Sequence, residues 1–185
     1  MANKTKAALA DALRSIMKEK PIDKITIKDL VDNCGVNRQT FYYHFNDVYD
    51  LLEWVFEDDA EKVLPTSITY DHWQDDVLRF YEYLRDNKDF ALNVYHSKSR
   101  MNLLEFYKRK IEECIRKFLD SVIDGHCVSS QDYEFIVEFY SNGLVGLISQ
   151  WLDLNMELPK CVSRERFIKI LSCSVENIIS RFEVK

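Results

Sequence analysis

At 185 residues with 46% hydrophobic side chains, the chain can build one or two small domains with a packed core, which excludes disorder over most of its length. Three prolines and four glycines are too few for the tight reversals of a multi-stranded β protein, so an all-α fold is expected. The formal charge of −6 opposes nucleic-acid binding only as an average: residues 1–46 hold eight Lys/Arg against five Asp/Glu, a net of +3, and the remainder 17 against 26, a net of −9.

No stretch approaches the roughly 20 apolar residues that span a bilayer, and the opening Met-Ala-Asn-Lys-Thr-Lys has no apolar signal core. No membrane association and a cytoplasmic location are expected. Cys34, Cys114, Cys127, Cys161 and Cys173 show no CxxC spacing and no disulfide framework, and read as buried thiols in a reducing compartment.

In chain order, residues 4–20 place Leu9, Leu13, Ile16 and Met17 at helical spacing, and Pro21 ends that helix. Thr26 three residues before Asp29 is a capping box, with Ile25 and Leu30 as its hydrophobic staple, and starts a short helix over about 27–34. Gly35 supplies the positive φ of a sharp reversal, and Asn37 caps a third helix over about 38–44. Two short helices joined by a glycine turn and resting on a longer first helix make a helix-turn-helix unit.

Asn46 is expected to cap a fourth helix carrying Leu51, Leu52, Trp54, Val55 and Phe56 and ending in Glu57, Asp58, Asp59 and Glu61, with Pro65 in the loop beyond. Further helices are expected over about 71–87, 88–97, 100–123, 130–155 and 163–182, which gives about nine in all. Charge and pattern divide the chain into a helix-turn-helix domain over 1–46 and a further helical domain over 47–185.

The segment Asn37-Arg-Gln-Thr-Phe-Tyr-Tyr-His-Phe45 carries the chemistry. Phe41 and Phe45, four apart, can face inward and leave Arg38, Gln39, Thr40, Tyr42, Tyr43 and His44 outside. Such a surface suits a major groove: Arg can fork onto guanine, Gln onto adenine, and Thr or Tyr can meet a thymine methyl or a phosphate.

The run from Ile25 to Leu52, with its Gly35-Val36 turn, its Thr40 before an aromatic-rich Tyr42-Tyr-His-Phe45 and its Leu51-Leu52 pair, resembles the DNA-binding domain of TetR-type transcriptional regulators over about residues 5–55. The resemblance implies a homodimer whose recognition helices enter successive major grooves of a near-palindromic operator. It assigns groove and phosphate contacts to Arg38, Gln39, Thr40, Tyr42, Tyr43 and His44, and backbone contacts to Thr26 and Lys28. Where the family often has Lys at the start of the fourth helix this chain has Val48 between Asp47 and Asp50, so phosphate anchoring shifts toward Lys4, Lys6, Lys28 and Tyr42. The run Phe45-Asn-Asp-Val-Tyr-Asp-Leu-Leu-Glu-Trp54 is similar to the subgroup of dihydroxyacetone kinase regulators, whose activator works with a ligand-sensing protein.

In the acidic body, Gly143 and Gly146 beside Leu144, Leu147, Ile148 and Trp151 would let a second helix approach closely. The resemblance implies dimerisation through the helices at about 130–155 and 163–182. An effector, either a small molecule or a sensor protein, would act through the middle helices, where Trp73, Phe80, Tyr83, Phe90, Tyr95, Phe106, Tyr107 and Tyr140 supply rings for a pocket or simply a core. His72, His96 and His126 have no second ligand at metal spacing, so neither catalysis, a metal nor a cofactor is expected. The competing reading is a protein-interaction module that keeps the helix-turn-helix head without specific DNA binding.

Overall fold

The computed structural model describes residues 2–64, 68–69, 72–123 and 128–157, and Lys169 as a single further position. Among these the fold is helical: α1 (Ala2–Met17), a 3-10 turn (Ile22–Lys24), α2 (Ile27–Cys34), α3 (Arg38–His44), α4 (Val48–Val63), α5 (Trp73–Asp86), α6 (Lys88–Tyr95), α7 (Arg100–Val122) and α8 (Ser130–Asp153). The helix expected over 163–182 lies outside the described residues apart from Lys169, as do Cys127, Cys161, Cys173 and His126.

Chain contacts group into two compact units, Met1–Val63 with Leu84–Leu103, and Leu64–Tyr83 with Leu104–Lys185. In the first, α1 lies against α2, α4 and α6, and α2 against α3. Its centre is made by Leu9, Leu13, Leu30, Phe41, Leu51, Leu52 and Val55, all at most 2% exposed. Burying six or seven such side chains is the main force that holds short α2 and α3, which are below the length at which a helix is stable by itself.

Three local expectations change. First, α1 ends at Met17, where the amides of Glu19 and Lys20 turn back onto the Ile16 carbonyl, and Pro21 opens the 3-10 turn in place of a plain loop. Second, Asp47 rather than Asn46 caps α4. Its carboxylate accepts from the amides of Tyr49 at 2.8 Å and Asp50 at 2.9 Å, while Asn46 gives its own N–H groups to the Asp50 carboxylate. A charged oxygen satisfies two free amides at the positive end of a helix better than an amide oxygen does. Third, Asp59, expected simply as one of the acidic residues that end α4, is 9% exposed and ion-paired with Arg14 of α1.

In the second unit α7 and α8 meet through Leu119, Ile136 and Val137, flanked by Ile115, Phe118, Tyr133 and Tyr140. Arg116 clamps this seam from outside with two 2.7 Å hydrogen bonds to the Glu134 carboxylate, which holds Glu134 below the usual carboxylate range. Trp73 meets Phe118 edge-on, Phe80 meets Tyr107 edge-on, and Tyr81 stacks on Trp151 with ring centroids 4.9 Å apart. The buried indole N–H of Trp151 finds no acceptor among the described residues.

The aromatic residues expected around one effector site are divided between the units. Phe90 and Tyr95 lie in the first, Phe90 edge-on to Phe56 and Tyr95 beneath the Arg100 guanidinium, whereas the other six lie in the second. Helical spacing reports which face of a helix is apolar but not which neighbour covers it. Of the five cysteines Cys34 and Cys114 are described, and both are half-buried rather than buried; what burial there is pushes the Cys114 thiol up to about 11.

Candidate nucleic-acid interface

The approach to the interface starts at Thr26, whose hydroxyl oxygen accepts from the Asp29 amide while the Asp29 carboxylate accepts from the Thr26 amide at 2.7 Å. Lys20 adds an ion pair to the same carboxylate at 2.7 Å, and these partners together hold Asp29 far below the usual carboxylate range. The single Thr26 hydroxyl proton also goes to Asp29, so the cap uses the donor that a phosphate contact would need. Lys28 is exposed on the first turn of α2.

Gly35 ends α2 with φ of 69°, where its amide bonds back to the Val31 carbonyl. That left-handed geometry strains any residue with a Cβ. The Asn37 side chain then accepts from the Thr40 amide at 2.7 Å and starts α3. The Thr40 hydroxyl donates to the same Asn37 oxygen at 3.0 Å.

On α3, Phe41 and Phe45 are 0% and 3% exposed, with ring centroids 5.9 Å apart. Arg38 and Gln39 are exposed on its first turn, Tyr42 is 58% and Tyr43 81% exposed, and Thr40 and His44 are half-buried. Tyr43 meets the His44 ring edge-on at 4.9 Å. The structure thus brings Arg38, Gln39, Thr40, Tyr42, Tyr43 and His44 onto one two-turn helix, and Thr26 and Lys28 onto the start of its partner helix.

Val48 is 8% exposed and fills the core, which confirms that no cation stands at that position. Lys6 from α1 does reach this corner: its ammonium lies 5.5 Å from the Phe45 ring centroid and 5.7 Å from that of Trp54, at the junction of α3 and α4. Lys4 is exposed near the start of α1.

Sequence reading missed a second shell of support. Asp23 in the 3-10 turn accepts from the Tyr49 hydroxyl at 2.9 Å and from the Lys98 amide at 3.3 Å. Burial first, and the Asp23 carboxylate second, push the Tyr49 phenol up from its ordinary value. These ties join positions 26 and 75 residues apart, and no periodic pattern reports them.

Among the described residues no helix is long and apolar enough to cross a membrane, and no group of three His, Cys, Asp or Glu is placed to hold a metal ion. A family model described as bacterial regulatory proteins, tetR family, matches residues 9–55, and one described as a transcriptional regulator C-terminal region matches residues 71–173. The chain is 29% identical over 91 residues to the HTH-type dhaKLM operon transcriptional activator DhaS of Lactococcus lactis subsp. lactis (strain IL1403), a match that spans 49% of each chain. It shares its fold with a solved structure, the dihydroxyacetone kinase operon activator DhaS, at a TM-score of 0.74 and 21% identity, over 97% of this chain and 98% of that one. With one model on the helix-turn-helix and the other over most of the remainder, the chain belongs to the TetR family and is a DNA-binding transcriptional regulator of that type.

Proposed function

We propose that the chain reads a near-palindromic operator as a homodimer, with Arg38, Gln39, Thr40, Tyr42, Tyr43 and His44 meeting base edges and phosphates. The observation that carries this reading is the division of labour on α3, where two buried phenylalanines hold a helix whose other faces are polar or aromatic. Lys28 and Lys4 add backbone charge, and Lys6 at the α3–α4 corner offers the cation that Val48 does not. Thr26 serves the head first as a cap and contacts a phosphate through its remaining lone-pair face or by giving up its bond to Asp29. Residues 1–46 carry the reading surface, and residues 47–185 carry regulation and dimerisation.

The dimer reading is supported by α8, where Phe135, Phe139 and Leu147 are exposed large apolar residues on the same helix as Gly143 and Gly146. A Cβ on either glycine would meet nothing within 4 Å. A stripe at spacings near four and eight that is both apolar and low in relief suits close approach of a second helix. The helix expected from sequence over 163–182 is proposed as the second element of that interface.

Regulation is by population shift: an effector, a small molecule or a sensor protein, favours one separation of the two heads and so changes operator affinity. The Lactococcus lactis relative is an activator of the dhaKLM operon, and we extend the proposal to genes of dihydroxyacetone phosphorylation.

Selection from a random duplex pool tests the reading. An enriched near-palindrome is expected, with Arg38→Ala altering base preference and Lys28→Ala weakening all sequences alike. No enriched sequence at low salt would overturn it.

A further inference from the structure

We infer that Asn93, in α6 and far outside the helix-turn-helix, is a positioning residue for operator binding, because its side chain closes the junction between α1 and the reading helices; this rests on the DNA-binding reading proposed above. Its Oδ1 accepts from the Ile22 amide at 2.8 Å, and its amide nitrogen donates to the carbonyls of Met17 at 2.7 Å and Lys20 at 3.0 Å. These are the groups that a helix end leaves without intrahelical partners. The backbone bonds at the junction run instead from Lys18, Glu19 and Lys20 to Ser15 and Ile16.

One planar side chain therefore fixes where α1 stops and where the 3-10 turn begins, and Ile22 beside it is 1% exposed. The same stretch of chain grips the turn again five residues later, where the Lys98 amide donates to Asp23, and Asp23 also holds Tyr49 of α4. The direction of the chain as it enters α2, and with it the placement of Lys28 and α3, is set by these two ties. Asn fits this role because it presents an acceptor and two donors in one plane, whereas an aspartate would set a negative oxygen against two carbonyls.

The test uses the full chain and the duplex that the wild type enriches from a random pool. Asn93→Ala is expected to weaken binding about tenfold, from three lost hydrogen bonds of modest net value, with base preference unchanged. It is also expected to reduce the slope of log affinity against log salt, because a displaced head contacts fewer phosphates. A purely structural role would lower the active fraction and leave that slope unchanged. Asn93→Asp should be at least as impaired, and amide exchange at Ile22 should accelerate in both variants while exchange in α8 does not. Wild-type affinity, an unchanged slope, or unaltered exchange at Ile22 would overturn the inference even with specific DNA binding established. A wild type that enriches no duplex would overturn the DNA-binding reading and this inference together.

Discussion

Arg14 of α1 is ion-paired with Asp59 of α4, a carboxylate only 9% exposed, and its guanidinium lies 4.7 Å from the ring centroid of Phe90 in α6. One side chain thus links three helices of the first unit. Removing the carboxylate leaves a half-buried cation facing apolar neighbours. Asp59→Ala is expected to lower stability by about 2–3 kcal/mol, toward the low end for broken buried pairs because Arg14 keeps some solvent. Chemical denaturation would measure this, and a loss below about 0.5 kcal/mol would place the pair with ordinary surface bridges.

Acid should loosen the start of α2 through Asp29. An unfolded aspartate titrates near about 3.9, and the folded one is held far lower by Lys20 and Thr26. The unfolded state therefore binds the proton first as pH falls. The stabilisation is complete above that range and is lost as pH drops toward the folded value. Asp29→Asn should flatten the fall of the melting temperature between about pH 5 and pH 2, and an unchanged acid limb would contradict the assignment.

Neighbours on α3 should separate folding from binding. Phe41 is 0% and Tyr43 81% exposed. Phe41→Ala is expected to cost about 3–5 kcal/mol of stability. Tyr43→Ala should leave stability within about 0.5 kcal/mol yet weaken binding to the selected duplex by about 1 kcal/mol or more. Equal duplex affinity for Tyr43→Ala and wild type would remove Tyr43 from the interface.

On α8, Phe139 is 63% exposed and stacks on exposed Phe135 with centroids 6.3 Å apart. Phe139→Arg should dissociate the proposed homodimer, with a cost of about 2 kcal/mol or more typical of a central aromatic anchor. Sedimentation would report monomers, and operator affinity would fall because two half-sites need two heads. A variant that stays dimeric would move the interface elsewhere.

The helix-turn-helix was legible in the sequence because its devices are local. Thr26 with Asp29, Gly35, Asn37, and Phe41 with Phe45 each act within four residues, and each stands in the structure where the pattern puts it. Asn46 and Asp47 are both good caps, and sequence could not rank them before the geometry of α4 gave Asp47 two amides. Asp59 stood in the sequence only as one of the acidic residues that end α4, because its partner lies 45 positions upstream. Asn93 gave no signal at all, since a polar residue in a short helix looks like any exposed position until the carbonyls it serves are brought to it. The aromatic residues of the middle helices were legible as apolar faces, but their sorting between two units was not.

The first unit is built from two stretches of chain, Met1–Val63 and Leu84–Leu103, separated by residues that belong to the other. A chimeric regulator made by transplanting the first 46 residues onto a foreign sensor would therefore arrive without Phe90, Asn93 and the Lys98 amide. The smallest graft that keeps its own supports is discontinuous, and the recipient would have to accept α6 together with the reading helices.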